Sequence, residues 1–153
     1  MLKITLLTVG TIKEAYLSLG IQEFEKRLKS FVQLQLIEVK ESTHQQPTIA
    51  LQEEGNALIK ALPKDAYVIV FAIEGKTISS EGIAEALEAI PHHHSHVVFI
   101  IGGSHGVDTP LKKQAHALWS FSSLTFPHQL FRLLVLEQLY RGMSILAHHP
   151  YHK

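Results

Sequence analysis

The chain of 153 residues contains no cysteine. This absence excludes disulfide frameworks, thiol catalysis and cysteine-based zinc sites together. An excess of charge of one sign is also lacking, because Lys and Arg together number 14 and Asp and Glu together number 14. Such a balanced chain has no global field that would attract a polyanionic partner. Histidine, in contrast, is abundant, and its 11 residues make the net charge responsive to mild acid.

Long apolar runs are absent as well. A membrane span needs about 20 apolar residues, and the N-terminal run in MLKITLLTVGT is too short for one and is better interpreted as a strand. We therefore expect a cytoplasmic protein. The sequence also lacks linkers, internal repeats and low-complexity segments. At this length, residues 1–153 are expected to form one domain with a sizeable core.

Strand-like and helix-like segments alternate along the chain. Strands are predicted for 3–9, 31–39, 66–73, 97–101 and 117–126. Helices are predicted to begin near Tyr16, at Pro47, after a cap at Ser79 or Ser80, after a cap at Asp108 or Thr109, and at Pro127. The segment EGKTISS is predicted to be a loop. This order indicates an α/β fold with a mostly parallel sheet flanked by helices.

The last predicted helix has almost no polar face. Its apolar residues are Leu130, Phe131, Leu133, Leu134, Val135, Leu136, Leu139 and Tyr140. A helix that is apolar nearly all round is buried on several sides. In a small chain a subunit interface offers such burial, and we expect dimerisation through Leu130 to Leu146. Glu137 and Arg141 have the spacing and order of a structural ion pair on the helix.

Three loops follow the predicted strands, at the sheet edge where α/β proteins bind ligands. They are IEGK, GGSHG and SFSSLTFPHQ. The glycine loop is neither a Walker A motif nor G-x-G-x-x-G, and a mere turn is as good an interpretation as a ligand site. The third loop interleaves hydroxyl groups with large apolar side chains, which suits an uncharged flat ring such as adenine. An edge strand with alternating faces is the structural alternative.

Two further groups of polar residues invite a functional interpretation. His128 and Arg132 lie one turn apart near the start of the last helix, where they could contact an anionic substrate, although capping and packing explain His128 nearly as well. The tract at 92–94 is better interpreted as a surface loop than as a metal site, since adjacent side chains rarely converge on one ion. No metal is therefore expected. Neither a Ser-His-Asp arrangement nor paired carboxylates can be identified from spacing.

Several segments together resemble one family. VGTIKEAY, EFEKRL, EGKTISSEG, FIIGGSHG, WSFSSLTFPHQLFR, EQLYRG and the terminal HHPYHK are similar to the RlmH family of small bacterial SPOUT-class methyltransferases. The resemblance implies a SPOUT-type α/β knot with a C-terminal trefoil knot. It also implies an enzyme that methylates N3 of a pseudouridine in 23S ribosomal RNA. The methyl donor would be S-adenosyl-L-methionine, and the enzyme would act as a homodimer on the assembled ribosome.

The resemblance also implies which residues form the donor pocket. They are Phe71, Gly102, Gly103, Phe121, Ser122, Ser123, Leu124, Thr125 and Phe126. Gly102 and Gly103 would then lack side chains because the donor approaches the main chain there.

The substrate side of the site is less determined by the resemblance. His128, Tyr151 and His152 are candidates for the group that accepts the N3 proton, and spacing does not choose among them. Arg132 and Lys153 are candidates for phosphate contacts, and we expect the tail 150–153 to work on the substrate beside the partner's pocket. The zero net charge predicts weak binding to naked RNA. A non-catalytic ribosome- or RNA-binding factor on the same fold is the alternative, and a dehydrogenase-like module lacks the required glycine spacing.

Overall fold

A computed structural model describes residues 1–153 and contains five strands that alternate with five longer helices. The strands are β1 (Lys3–Val9), β2 (Gln33–Val39), β3 (Tyr67–Thr77), β4 (His96–Ile101) and β5 (Ala117–Ser120). The helices are α1 (Ala15–Leu28), α2 (Pro47–Ala61), α3 (Ser80–Ala89), α4 (Thr109–Gln114) and α5 (His128–Leu146). A single 3₁₀ turn, Ile90–His92, follows α3. None of these helices combines the length and the apolar content that crossing a membrane would demand.

The five strands form one parallel sheet in the order β2-β1-β4-β3-β5. This confirms the predicted α/β architecture. The central strand β4 is apolar from Val97 to Ile101 and is buried throughout, as expected for a parallel strand covered on both faces. Strand β2 lies at an edge and is only partly buried, with Leu34 and Leu36 packed on one face of the sheet and Ile37 and Val39 on the other.

The helices cover the two faces of the sheet unequally. On one face, α1, α3 and α5 pack on the sheet through side chains such as Ile21, Ile83 and Leu136. On the other face, Leu58 of α2 and Leu111 of α4 pack against a smaller cluster. The amphipathic spacing of α1 and α3 in the sequence corresponds to these buried contacts.

The structure also decides between the alternative helix caps. Ser79, not Ser80, caps α3, since its Oγ accepts the N–H of Gly82 at 2.9 Å. Asp108, not Thr109, caps α4, and its carboxylate accepts the N–H of Thr109 at 3.0 Å.

Two predicted boundaries near the ligand edge are wrong. The sequence predicts a loop for EGKTISS, residues 74–80, but β3 continues through its first four residues to Thr77. This part of β3 pairs with β5 in a shifted register, with an irregularity between Phe71 and Lys76. Edge pairing of this kind uses backbone groups and therefore leaves no apolar signal in the sequence. Gly75 permits it, because a Cβ there would lie 2.7 Å from the carbonyl carbon of Trp119. The extended stretch predicted for 117–126 pairs only as far as Ser120.

More of helix α5 is buried inside its own chain than the sequence predicts, since the sequence assigns its apolar residues to a subunit interface. Val135, Leu136 and Leu139 belong to the core of the same chain, where they are at most 2 % exposed. Part of the all-round apolar character is therefore explained by packing against the sheet and against α1 and α3. Leu136 and Leu139 cannot be the residues that a partner subunit covers.

Candidate functional site

A cavity of about 720 Å³ opens where β3, β4 and β5 end. The residues after β4 and those between β5 and α5 line it, together with residues 71–74 of β3. The segments IEGK, GGSHG and SFSSLTFPHQ all contribute to this cavity, although IEGK belongs to β3 and is not the loop that the sequence predicts. The volume lies within the range of pockets that take a drug-sized ligand, about 300–1,000 Å³.

Aromatic rings form one wall of the cavity. The ring of Phe71 lies edge-on to those of Phe121 and Phe131, with 5.1 Å between centroids in both pairs. Phe126 stacks on Phe131 at 5.8 Å. Edge-on and offset contacts at these distances are favourable, so the rings hold one another in place. Beside them, Leu124 keeps 68 % of its surface exposed, so the mouth of the cavity is apolar.

The hydroxyl groups of the third loop serve mainly to shape it. Ser120 Oγ donates to the carbonyl of Ser122 at 2.9 Å, and Ser122 Oγ accepts the N–H of Leu124 at 3.0 Å. These bonds turn the chain sharply after β5 and direct Phe121 and Leu124 to the cavity wall. Of the residues predicted for the donor pocket, Phe71, Gly102, Gly103, Phe121, Ser122, Leu124, Thr125 and Phe126 line the cavity. Ser123 does not.

The glycine loop is a tight turn as well as a cavity wall. The N–H of Gly106 donates to the carbonyl of Gly103 at 3.0 Å, and Gly106 has a φ of +82°. A Cβ on Gly102 would lie 2.2 Å from the carbonyl oxygen of Gly106. The bare backbone at Gly102 is thus required by the turn itself, which corrects the expectation that ligand approach alone explains it.

A pair of opposite charges at the cavity was not predicted from the sequence. Lys112 of α4 donates to Glu74 Oε1 of β3 at 2.6 Å, and both residues line the cavity. The hydrogen bond from Lys112, aided by one from the backbone amide of Glu74, holds the pKa of the Glu74 carboxyl below its usual range. Glu74 lies in the IEGK segment that the sequence places at the ligand edge. Lys112 gave no signal in the sequence.

His128 and Arg132 have different surroundings although they lie one turn apart. His128 lines the cavity at the first residue of α5. Arg132 lies beneath it, 4 % exposed, and donates through Nη1 to Glu38 at 2.6 Å and through Nη2 to the carbonyls of Val9 and Gly10 at 2.6 and 2.9 Å. A phosphate contact by Arg132 would require these bonds to be given up. Its chemical role stays a prediction, and its observed role is to join α5 to the ends of β1 and β2.

The C-terminal tail packs on α5, away from the cavity of its own chain. Tyr151 donates its hydroxyl to Glu137 at 2.9 Å, and its ring lies 4.8 Å from the guanidinium of Arg141. Burial, together with the bond to Glu137, raises the pKa of the Tyr151 hydroxyl. His152 Nε2 lies 2.9 Å from a carboxylate oxygen of Glu81. The Glu137–Arg141 ion pair is present, with 2.5 Å between Oε1 and Nη2, which confirms that pair as structural.

The histidine tract lies at the opposite end of the sheet, before β4. His92 and His93 are exposed, whereas the ring of His94 packs edge-on to Tyr67 at 5.3 Å. His116 stacks on the same ring at 4.6 Å, and its Nδ1 accepts the N–H of Val68 at 2.9 Å. These contacts give His94 and His116 packing roles at the sheet end that is remote from the cavity.

Comparisons with known proteins agree over nearly the full length. The family described as "Predicted SPOUT methyltransferase" matches residues 2–152. Proteins named "Ribosomal RNA large subunit methyltransferase H" are similar to the chain. The one from Bifidobacterium adolescentis is 45 % identical, with 99 % of this chain and 100 % of that protein covered. The one from Caldicellulosiruptor saccharolyticus is 42 % identical, with 98 % and 99 % covered. That from Streptococcus mutans is also 42 % identical, with 99 % and 100 % covered.

Proposed function

We propose that this chain, which belongs to the family of predicted SPOUT methyltransferases, methylates the RNA of the large ribosomal subunit. The proposed reaction transfers a methyl group from S-adenosyl-L-methionine to N3 of a pseudouridine in 23S ribosomal RNA. The relatives' names support the RNA and the type of reaction. The choice of donor and of target atom extends the resemblance noted in the sequence to this chain.

One observation carries the proposal. Eight side chains and backbone positions that the resemblance assigns to the donor pocket line a single open cavity. They come from three segments far apart in the sequence, namely Phe71, the turn at 102–103, and 121–126. The cavity also lies at the carboxyl edge of a parallel sheet, where α/β folds bind ligands. A blocked pocket would favour a non-catalytic factor on the same fold, and this cavity is open.

The residues present fit the proposed donor. The apolar rings at Phe71, Phe121 and Phe126 suit a flat purine, and the exposed backbone of the glycine turn suits close approach by its polar part. Opposite charges at Glu74 and Lys112 are available to an amino-acid group. When bound, S-adenosylmethionine supplies a methyl group on a positively charged sulfur, which is intrinsically reactive towards a nucleophile.

The chain's own contribution is then to position the reactants and to manage one proton. The aromatic wall excludes water from one side of the cavity. The N3 proton of the acceptor ring must leave as the new bond forms, so a nearby base would increase the rate. Among His128, Tyr151 and His152, only His128 lines the cavity of its own chain. We therefore propose His128 as the base within the subunit.

The proposed enzyme acts as a homodimer through α5. Leu130 and Leu134 are one turn apart, half-buried, and outside the set of apolar side chains that pack on the core, so they remain available to a second copy. The tail begins at the end of the same helix. In the dimer, Tyr151, His152 and Lys153 would act beside the partner's cavity, on 23S RNA in the assembled ribosome. We place this activity in the cytoplasm.

Calorimetric titration with S-adenosylmethionine, and separately with NAD, tests the donor assignment. We expect the first to bind and the second to give no heat of binding. Thr125→Trp, which would place a large ring in the cavity, should abolish binding, whereas Thr48→Trp on the exposed start of α2 should not. Binding of NAD, or equal binding of the donor by both variants, would contradict the proposed site.

A further inference from the structure

Glu54 of α2 is a buried carboxylate in which one oxygen accepts no hydrogen bond. The residue is 4 % exposed, and its Oε2 accepts the N–H of Ser42 at 3.0 Å. Its Oε1 is buried and has no hydrogen-bond partner. Buried polar atoms nearly always have a partner, and a carboxylate oxygen without one is costly to keep. The arrangement therefore calls for a functional explanation.

This unpartnered oxygen, Oε1, lies against the side of the glycine turn that faces away from the cavity. A Cβ on Gly103 would lie 3.3 Å from Glu54 Oε1, and Gly103 lines the cavity while Glu54 does not. Gly103 thus separates the carboxylate from the cavity. Gly55, the next residue of α2, also lies close to the segment after the turn, since a Cβ there would lie 2.7 Å from Cβ of Asp108. Helix α2 therefore supports the turn and the start of α4 from behind.

The turn also contains a backbone donor that has no hydrogen-bond partner in the chain. Gly106 donates to Gly103 within the turn, but the N–H of Ser104 forms no hydrogen bond inside the chain. Ser104 follows Gly103 directly and lines the cavity. A rotation of the peptide that joins Gly103 to Ser104 would move the Gly103 carbonyl as well, so the bond from Gly106 to Gly103 would be exchanged for one from Ser104 to Glu54 Oε1. Glycine at 103 makes that rotation sterically easy.

We propose that Glu54 is a positioning residue that holds the glycine turn in its ligand-binding form. A ligand that contacts the turn from the cavity side favours the rotated peptide, and Glu54 Oε1 then accepts the N–H of Ser104 from the other side. Because the hydrogen bond exists only in the bound form, its free energy contributes to affinity and not to the stability of the free protein. The inference rests on the proposed binding of S-adenosylmethionine.

A merely structural role makes the opposite prediction. Gln has the shape of Glu, so in Glu54→Gln the amide oxygen would still accept the N–H of Ser42, while the NH₂ group would face the turn and could not accept from Ser104. Removing a buried charge that lacks a partner is neutral or stabilising for the free protein. If Glu54 acts as proposed, Glu54→Gln gives a free protein at least as stable as the wild type together with weaker ligand binding. Loss of general stability cannot produce this combination.

The experiment compares the wild type, Glu54→Gln and the control Glu85→Gln, which makes the same charge change at an exposed position of α3, on the opposite face of the sheet from α2. Urea denaturation without ligand and calorimetry with S-adenosylmethionine are measured on each. We expect Glu54→Gln to keep the wild-type midpoint or raise it and to bind about tenfold more weakly, as loss of one charge-assisted hydrogen bond predicts. Amide exchange at Ser104 should slow on binding in the wild type and in Glu85→Gln, but much less in Glu54→Gln.

The contrary outcomes separate the two proposals. Wild-type affinity in Glu54→Gln, or a parallel loss of stability and affinity, would overturn the role of Glu54 and leave the proposed function intact. A wild-type protein that does not bind S-adenosylmethionine would refute the proposed function and this inference with it.

Discussion

Removing the guanidinium of Arg132 should destabilise the protein far more than removing its acidic partner. Arg132 is 4 % exposed and donates to the carbonyls of Val9 and Gly10 as well as to Glu38. The side chain of Glu38, in contrast, is 42 % exposed. Arg132→Met leaves the carbonyl of Val9 buried without this donor, whereas Glu38→Gln retains a hydrogen-bond acceptor that water can also reach.

The magnitude follows from this asymmetry. Breaking a fully buried ion pair by removing one partner costs about 3–5 kcal/mol. Here the exposed carboxylate is solvated again after the change, so the lower end applies, and the Nε of Arg132, buried without a partner, reduces the net loss further. We expect Arg132→Met to lose about 2–3 kcal/mol of unfolding free energy, mainly from unmet carbonyls. Glu38→Gln should lose at most about 1 kcal/mol, as for a half-exposed pair.

Urea denaturation at one protein concentration measures both values, since a dimer's stability depends on concentration. For a slope of about 2 kcal/mol per molar, the midpoint of Arg132→Met should fall by about 1 M, and that of Glu38→Gln by less than half as much. Arg132→Lys should fall between them, because an ammonium group cannot reproduce the planar fork of donors. Equal losses in Arg132→Met and Glu38→Gln, or no loss in either, would show that the bonds from Arg132 to the carbonyls of Val9 and Gly10 do not stabilise the fold.

Three other perturbations have definite expected results. Gly102→Ala would place a methyl group 2.2 Å from the Gly106 carbonyl oxygen, so both the thermal midpoint and calorimetric donor affinity should fall; an unchanged protein would show that the turn yields easily. Burial, and then the charge of Lys3, lowers the pKa of His96, so the unfolded chain binds the proton more readily and stability should fall as pH drops below about 6.5. Denaturation at several pH values should show a shallower acid decline in His96→Asn. Leu134→Glu should give a folded monomer in light scattering, whereas Leu136→Glu should unfold the chain, since Leu136 is fully buried; a dimeric Leu134→Glu would remove α5 from the interface.

The order and type of the elements could be predicted because buried parallel strands leave continuous apolar runs. Residues 97–101 and 66–71 are examples, and the glycine loop after the first of them lies at the carboxyl edge of the sheet, where the sequence places it. The end of β3 could not be predicted, since its pairing with β5 uses backbone groups and a close approach at Gly75 that carry no apolar pattern. The apolar pattern of α5 predicts that the helix is buried, but it does not show that the helix packs partly against the sheet of its own chain.

The sequence predicts where the site lies but not the partners of its charged residues. The family resemblance supplied the residues of the cavity wall, because the glycine loop taken alone is explained equally well by a mere turn and the third loop by an edge strand. The partners of charged residues depend on tertiary contacts, so Arg132 could not be linked to Glu38, nor Lys112 to Glu74, by their spacing. Glu54 gave no signal, since only the fold shows that one of its oxygens lies behind Gly103.

A methyl-transfer assay tests whether the cavity at the ends of β4 and β5 holds the donor that we propose for methylation of large-subunit RNA. The assay uses S-adenosylmethionine with a labelled methyl group and ribosomes that lack the modification. The wild type and Thr48→Trp should transfer the label to N3 of one pseudouridine in 23S RNA, and Thr125→Trp should transfer none. Label found elsewhere, or equal transfer by Thr125→Trp, would contradict the account.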